Sequence, residues 1–248
     1  MQWRDEAIVL GMRRHGESSV ILELMSAYHG RHLGMVRGGR SRSMQPVLQA
    51  GNGVVAVWRA RIEEHMGTFS IEPVELRTAR IMASQAALQG INLIGQLLRL
   101  LPEREAHCPL YEIAQLIAGH IDDPRVAPAL MVRFEMALLQ ELGFGLDLSE
   151  CAATGATQDL IYVSPRSGRA VCCSAGEPWR DKLLALPAFL RHGGALKGPS
   201  AADIANGFRL TGYFLARDLF GPRGLALPEA RQAFIRLATH GEGEPASL

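Results

Sequence analysis

Arg133-Phe134-Glu135-Met136-Ala137-Leu138-Leu139-Gln140-Glu141-Leu142-Gly143-Phe144-Gly145 is the stretch on which the reading of this chain turns. Leu130, Phe134, Ala137, Leu138 and Leu142 recur at steps of three and four, which places them on one face of a helix. Pro128 suits the first turn of that helix, and Gly143 suits its end. Taken alone, the pattern is that of a core helix closed by a glycine cap. On its N-terminal side lies an arginine-rich, strand-like third, and on its C-terminal side come dispersed cysteines and a second helical stretch.

The chain has 248 residues, 48% of them hydrophobic and 21% charged, a length that forms a core without disulfides or metal. No apolar run is long enough to span a bilayer, since Arg99 interrupts the most hydrophobic helix. Gln2-Trp3-Arg4-Asp5-Glu6 does not read as a signal peptide, so a cytoplasmic location and no membrane partner are expected. The net charge of +1 conceals a segregation. Residues 1–61 hold nine arginines against four acids, whereas residues 81–160 hold four arginines against ten acids.

From Trp3 to Leu76 the pattern is that of short strands. Ala7–Leu10, Ser19–Met25, Leu33–Val36, Val54–Trp58 and Phe69–Val74 are rich in β-branched and aliphatic residues, and glycines punctuate them. Five short strands in under 80 residues predict a small closed barrel, for which an OB-fold fits best and an SH3-like barrel almost as well. The loop Arg37-Gly38-Gly39-Arg40-Ser41-Arg42-Ser43 combines glycines that let a phosphate approach with arginines and serines that bind one. Arg13-Arg14, just past the first strand, add to the same face; the same composition also suits a solvated turn. Trp58 and Phe69 are assigned to the core, leaving Tyr28 and His32 as the candidates for base stacking.

Thr78 begins an all-helical section. Ile81, Ser84, Leu88, Ile91, Gly95, Leu98 and Leu101 form one stripe, stopped by Pro102. Leu110, Ile113, Ile117 and Ile121 form the next, and the Arg133 helix follows. Short proline-containing loops predict that the three make an antiparallel bundle, with a domain boundary near residue 78. Arg133 stands at the edge of its helix's apolar face, where with Leu130, Phe134 and Ala137 it borders a groove for a ligand having an apolar end and a carboxylate. The alternative is an ion pair within the bundle, with Glu112 or Glu141. Beyond Pro178 the pattern is helical again: Leu183, Leu186 and Leu190 form a short stretch interrupted by Pro187. Ile204, Phe208, Thr211, Leu215 and Leu219 make a clearer one, Glu229–Ala238 a last one, and 241–248 a disordered tail. Arg191, Lys197, Arg209, Arg217, Arg223, Arg231 and Arg236 form a basic excess that would extend a DNA path.

Leu142-Gly143-Phe144-Gly145-Leu146-Asp147-Leu148 followed by Cys151 resembles the RecO family of bacterial recombination mediators. Arg133-Phe134-Glu135 before it, and Tyr162-Val163-Ser164-Pro165 and Gly168 after it, belong to the same resemblance. So do Gly16-Glu17-Ser18-Ser19, Tyr28-His29-Gly30-Arg31 and the Gly38–Ser41 loop. The resemblance implies an α+β protein. An N-terminal OB-fold (residues 1–78) would bind DNA through Arg13, Arg14, Arg37, Arg40 and Arg42, and a mainly helical domain (79–240) would follow, with a finger-like insertion at 147–176. It also implies binding of the acidic, phenylalanine-ended tail of the single-stranded DNA-binding protein, through the helical domain that carries Leu130, Arg133, Phe134 and Ala137. RecR is implied as a partner and RecA as an indirect one. Many family members carry a zinc site built from two Cys-x-x-Cys knuckles. Here Thr154 and Ala175 stand where two ligands would fall, and vicinal Cys172-Cys173 cannot replace them, so a metal-free finger hairpin is expected. A Leu-Lys-Ser-Arg-like motif near the end is replaced by Leu227-Pro228-Glu229-Ala230-Arg231.

No catalytic motif is present: there is no P-loop, Gly-x-Ser-x-Gly or His-Glu-x-x-His, and the histidines are scattered. The sequence therefore points to a non-enzymatic repair and recombination mediator that needs no cofactor, binds single- and double-stranded DNA and anneals coated strands. The alternative is an adaptor that binds a peptide through its helical domain and no DNA.

Overall fold

A computed structural model describes residues 1–62, 64–191 and 198–240. Lys197 and the expected disordered tail, 241–248, lie outside the described residues. The described chain divides into two compact units, Met1–Asp123 and Pro124–Leu248.

In the first unit, β1 (Gln2–His15), β2 (Ser19–Ser26), β3 (Gly30–Val36), β4 (Gly53–Arg59) and β5 (Thr68–Glu75) cover all five strands read from the sequence. They close into a barrel of order β1-β2-β3-β5-β4, with β1 antiparallel to both β2 and β4 and β3 meeting β5 in parallel at Met35 and Thr68. Closure depends on the length of β1. Its first half pairs with β4, its second half pairs with β2, and a bulge between Val9 and Gly11 bends it from one neighbour to the other. Alternation then sends Val20, Leu22 and Leu24 inward with Val54, Ala56 and Trp58, around Val36, Leu48 and Phe69. Gly34 is required there, because a Cβ would sit 2.5 Å from the Phe69 ring.

Three helices belong to the same unit: α1 (Thr78–Ala83), α2 (Gln85–Leu98) and α3 (Cys108–His120). The apolar stripe from Ile81 to Leu101 predicts one helix, but the chain breaks at Ser84. That residue is extended, and its hydroxyl accepts from Ala87 N–H as the cap of α2. Leu88, counted in the stripe, is exposed. The junction after the barrel is fixed by Asn52, wholly buried, whose amide donates to Pro46 O and Val47 O while its carbonyl accepts from Arg77 N–H and Thr78 N–H. Arg77, also buried, adds a bond to Gly51 O. The compact units thus divide the chain at Asp123, and the boundary expected near residue 78 falls inside the first of them.

The second unit opens with α4 (Ala127–Glu141), closed as expected by Gly143 at φ +85°. The hairpin of β6 (Leu160–Val163) and β7 (Ala170–Cys172) follows, then α5 (Cys173–Gly176) and a 3₁₀ turn at Glu177–Lys182. The Leu183-Leu186-Leu190 stretch is interrupted at Pro187 as its sequence implies, but the pieces are a two-residue strand, β8 (Leu184–Ala185, paired with β6), and a 3₁₀ turn, not helix. α6 (Ala201–Phe214) starts at a Ser200/Asp203 capping box and continues into a π-turn at Leu215–Phe220. α7 (Glu229–His240) is last. Within the second unit the principal partner of α4 is α6. Val132 of α4 is buried on this side, where Gly207 of α6 leaves room for it.

Candidate nucleic-acid interface

Strand register brings the two arginine groups to one end of the barrel. Arg13 and Arg14 lie opposite Ile21 and Val20, Val20 lies opposite Val36, and Arg37 is the next residue. The loop beyond it is built into the fold. Ser41 N–H donates to Gly38 O, two helical turns follow through Met44, and Val47 and Leu48 enter the barrel core. Arg13, Arg14, Arg37 and Arg42 are exposed there. Arg40 has a different place. Its backbone N–H donates to Ser18 O (3.1 Å) and its guanidinium to Gly16 O (3.2 Å) and Glu17 O (2.5 Å), so it ties the loop to the β1–β2 turn. Such an end concentrates four outward guanidinium groups, with Glu17 at their rim, and suits a phosphate backbone more than any single anion. Arg31 and Arg99 are not part of it, since both pair with the half-buried Glu23 (3.0 and 2.7 Å).

Of the two stacking candidates, Tyr28 is exposed, but His32 is buried at 3% exposure and cannot present a free face. It belongs to an aromatic group at the other end of the barrel. Trp3 stacks on His29 with centroids 4.4 Å apart and 10° between planes, and His32 meets Trp3 and Trp58 edge-on at 5.2 and 4.9 Å. Burial, reinforced by the nearby Arg104 charge, lowers the His32 pKa to about 4, so this imidazole is neutral at pH 7.

On α4 the structure separates the four residues grouped by sequence. Arg133 is exposed and donates to Phe189 O at 3.2 Å; Leu130 and Ala137 are half-buried. Phe134 has no exposure, so it supports the face from beneath and offers no contact surface.

The sequence reading missed the charged centre of the second unit. Glu135 is wholly buried, and Arg231, at 5% exposure, donates to its two oxygens at 2.7 and 3.0 Å and to Phe208 O at 2.7 Å. Thr211 adds its hydroxyl to the same carboxylate. One signal was available: an acid at position 135, on the face shared by Met131 and Leu138, demands a buried partner. Arg231 is therefore removed from the expected basic path, as is Arg217, which pairs with Asp218 and donates to Pro165 O of the β6–β7 turn. Arg223 donates to Leu219 O, whereas Arg209 and Arg236 remain exposed.

At the hairpin, Cys151 and Cys172 are buried and Cys173 is exposed. Thr154 occupies the gap with its hydroxyl 3.6 Å from the Cys172 sulfur, and Cys172 N–H donates to the Cys151 sulfur at 3.3 Å. Burial works to raise the Cys151 pKa, but the bonds accepted from Thr154 and from backbone N–H groups outweigh it and bring it to about 6. Among the described residues no group of three or more His, Cys, Asp or Glu is placed to hold a metal ion, so the residues present do not fit a four-ligand zinc centre.

Comparison with known proteins covers both halves of the chain. The family described as Recombination protein O N terminal matches residues 1–77, and Recombination protein O C terminal matches residues 89–225. A protein of Methylobacterium nodulans named DNA repair protein RecO is 60% identical over 246 residues, 98% of this chain and 100% of that one. Proteins of the same name from Mesorhizobium japonicum and Rhizobium johnstonii are 57% and 55% identical, over 95% and 96% of this chain and 92% and 93% of their own. With matches of this identity along nearly its whole length, the chain belongs to the RecO family.

Proposed function

We propose that the chain acts in DNA repair and recombination, binding single- and double-stranded DNA through the basic end of an OB-type barrel. It anneals complementary strands coated by single-stranded DNA-binding protein and, with RecR, promotes RecA loading, in the cytoplasm at the nucleoid and without catalysis. The repair role is supported by relatives whose name states it. The observation that carries the DNA reading is the convergence of Arg13, Arg14, Arg37 and Arg42, all exposed, on one end of a closed barrel. Phosphate contacts of this kind serve strands of any sequence, as a mediator requires.

The tail peptide of the coating protein is assigned to the exposed side of α4. Arg133 meets a carboxylate there, and Leu130 and Ala137 flank the peptide's apolar end. The two functions then fall on separate units, which lets one molecule hold both the coat and the strand beneath it. The test is annealing of complementary strands, bare and coated, followed by strand-specific fluorescence. The proposal expects this protein to accelerate both; acceleration of neither contradicts it.

A further inference from the structure

The aromatic end of the barrel holds a cavity of about 380 Å³, within the range of small-ligand pockets. Trp3, His29, His32, Trp58 and Arg104 line it. Its walls are flat. The parallel Trp3–His29 pair forms one side, and the Arg104 guanidinium lies 6.0 Å from the Trp58 ring centre. The floor is polar, because His32 is buried with neither ring nitrogen hydrogen-bonded. A buried polar side chain without a partner is costly and rare in native proteins. Being neutral, His32 offers one donor and one acceptor to whatever enters.

Two further features fix the site in advance. Buried Asp5 accepts from His29 Nδ1 (3.1 Å) and Tyr28 N–H (2.7 Å), which sets the orientation of the stacked pair. Arg104 adopts φ +66°, a conformation unfavourable for a side chain, and is held in it by its N–H bond to Arg31 O (2.8 Å) and by its guanidinium bond to His65 O (3.0 Å). A flat ligand with a hydrogen-bonding edge and an attached anion matches stacking walls, a neutral imidazole and a guanidinium together. A phenylalanine side chain supplies the ring but leaves His32 unsatisfied.

We propose that this pocket receives a single unstacked nucleobase of a DNA strand, with its ring against the Trp3, His29 and Arg104 walls and its edge hydrogen-bonded to His32. The inference rests on the reading that the barrel binds single strands, and it adds to backbone attraction at the basic end a base-dependent anchor. The two are ten residues apart along β1, about 30 Å of strand.

The test compares binding of a labelled oligothymidylate with that of the same strand lacking its bases, by fluorescence anisotropy of the full chain. The base-bearing strand should bind at least tenfold more tightly and quench tryptophan fluorescence, which the abasic strand should not. His32→Phe keeps the ring volume and removes the hydrogen bond. It should cut the preference for the base-bearing strand severalfold without changing affinity for the abasic one. If the protein binds both strands equally, the pocket holds no base while the electrostatic DNA reading stands. A preference for bases that His32→Phe leaves intact means that no base edge is read by His32 and also overturns the proposal. If neither strand binds, the underlying DNA reading fails and the inference falls with it.

Discussion

Replacing Arg231 by methionine tests whether the charged centre of the second unit is structural. Glu135 is wholly buried and Arg231 nearly so, and the pair is joined by two bonds of 2.7 and 3.0 Å, with Phe208 O and Thr211 completing the donors' partners. Removing the cation leaves a wholly buried carboxylate without its charged partner, a loss of about 3–5 kcal/mol. That is a large part of what a domain of this size possesses. The companion change Glu135→Leu with Arg231→Met removes both charges and should recover most of the loss, since apolar replacements of a buried pair are often close to neutral. Urea denaturation followed by circular dichroism measures each variant, and the double-mutant cycle isolates the pair. DNA affinity of the folded single variant, and its slope against salt, should equal those of the parent, because Arg231 is not exposed to a strand. A variant of unchanged stability whose DNA affinity and salt slope fall would refute this and return Arg231 to the basic path.

Other outcomes follow from the same geometry. Arg133→Glu should weaken binding of an acidic, phenylalanine-ended peptide by about 2–4 kcal/mol while leaving bare-strand annealing intact; equal peptide affinity in a folded variant places that site elsewhere. Protein purified without added metal should contain well under one zinc per chain by elemental analysis, and near-stoichiometric zinc whose removal unfolds the protein contradicts the reading of Thr154 and Ala175. His32, whose pKa falls from 6.5 to about 4 on folding, makes the unfolded chain the better proton acceptor. Its contribution is neutral above pH 6.5, and stability is withdrawn progressively as pH falls to 4, by about 3 kcal/mol in all. His32→Phe should flatten that part of the stability profile, and an unchanged profile would mean the ring is not buried in solution.

The barrel was legible in the sequence because its evidence is local: β-branched runs separated by glycines give both the strands and their number, and all five runs lie within observed strands. The cap and extent of α4 were legible for the same reason, through Pro128 and Gly143. Partners distant in the chain were not. Nothing in the periodicity of α4 says that its apolar face meets a helix starting at Ala201, sixty residues further along the chain. Ser84 fits an apolar stripe by spacing and ends it by capping, and spacing alone cannot separate the two. Charges misled most. Counting arginines treats Arg40, Arg217 and Arg231 alike with Arg37 and Arg42, yet the first three are spent on carbonyls and carboxylates within the fold. Conversely, Trp3 and Arg104, which frame the aromatic pocket, lie a hundred residues apart, and Arg104 reaches it from outside the barrel through bonds to Arg31 O and His65 O.

On the proposed function, the basic end of the barrel holds the phosphate backbone. Affinity of the full chain for a single strand, measured across a range of salt concentrations, tests it directly when compared with the variant in which Arg13, Arg14, Arg37 and Arg42 are all alanine. Each phosphate contact contributes about 0.7 to the slope of log K against log salt on a single strand, so the slope should be shallower by about 3, with weaker binding to every sequence. A folded variant that retains the parent's slope would contradict it.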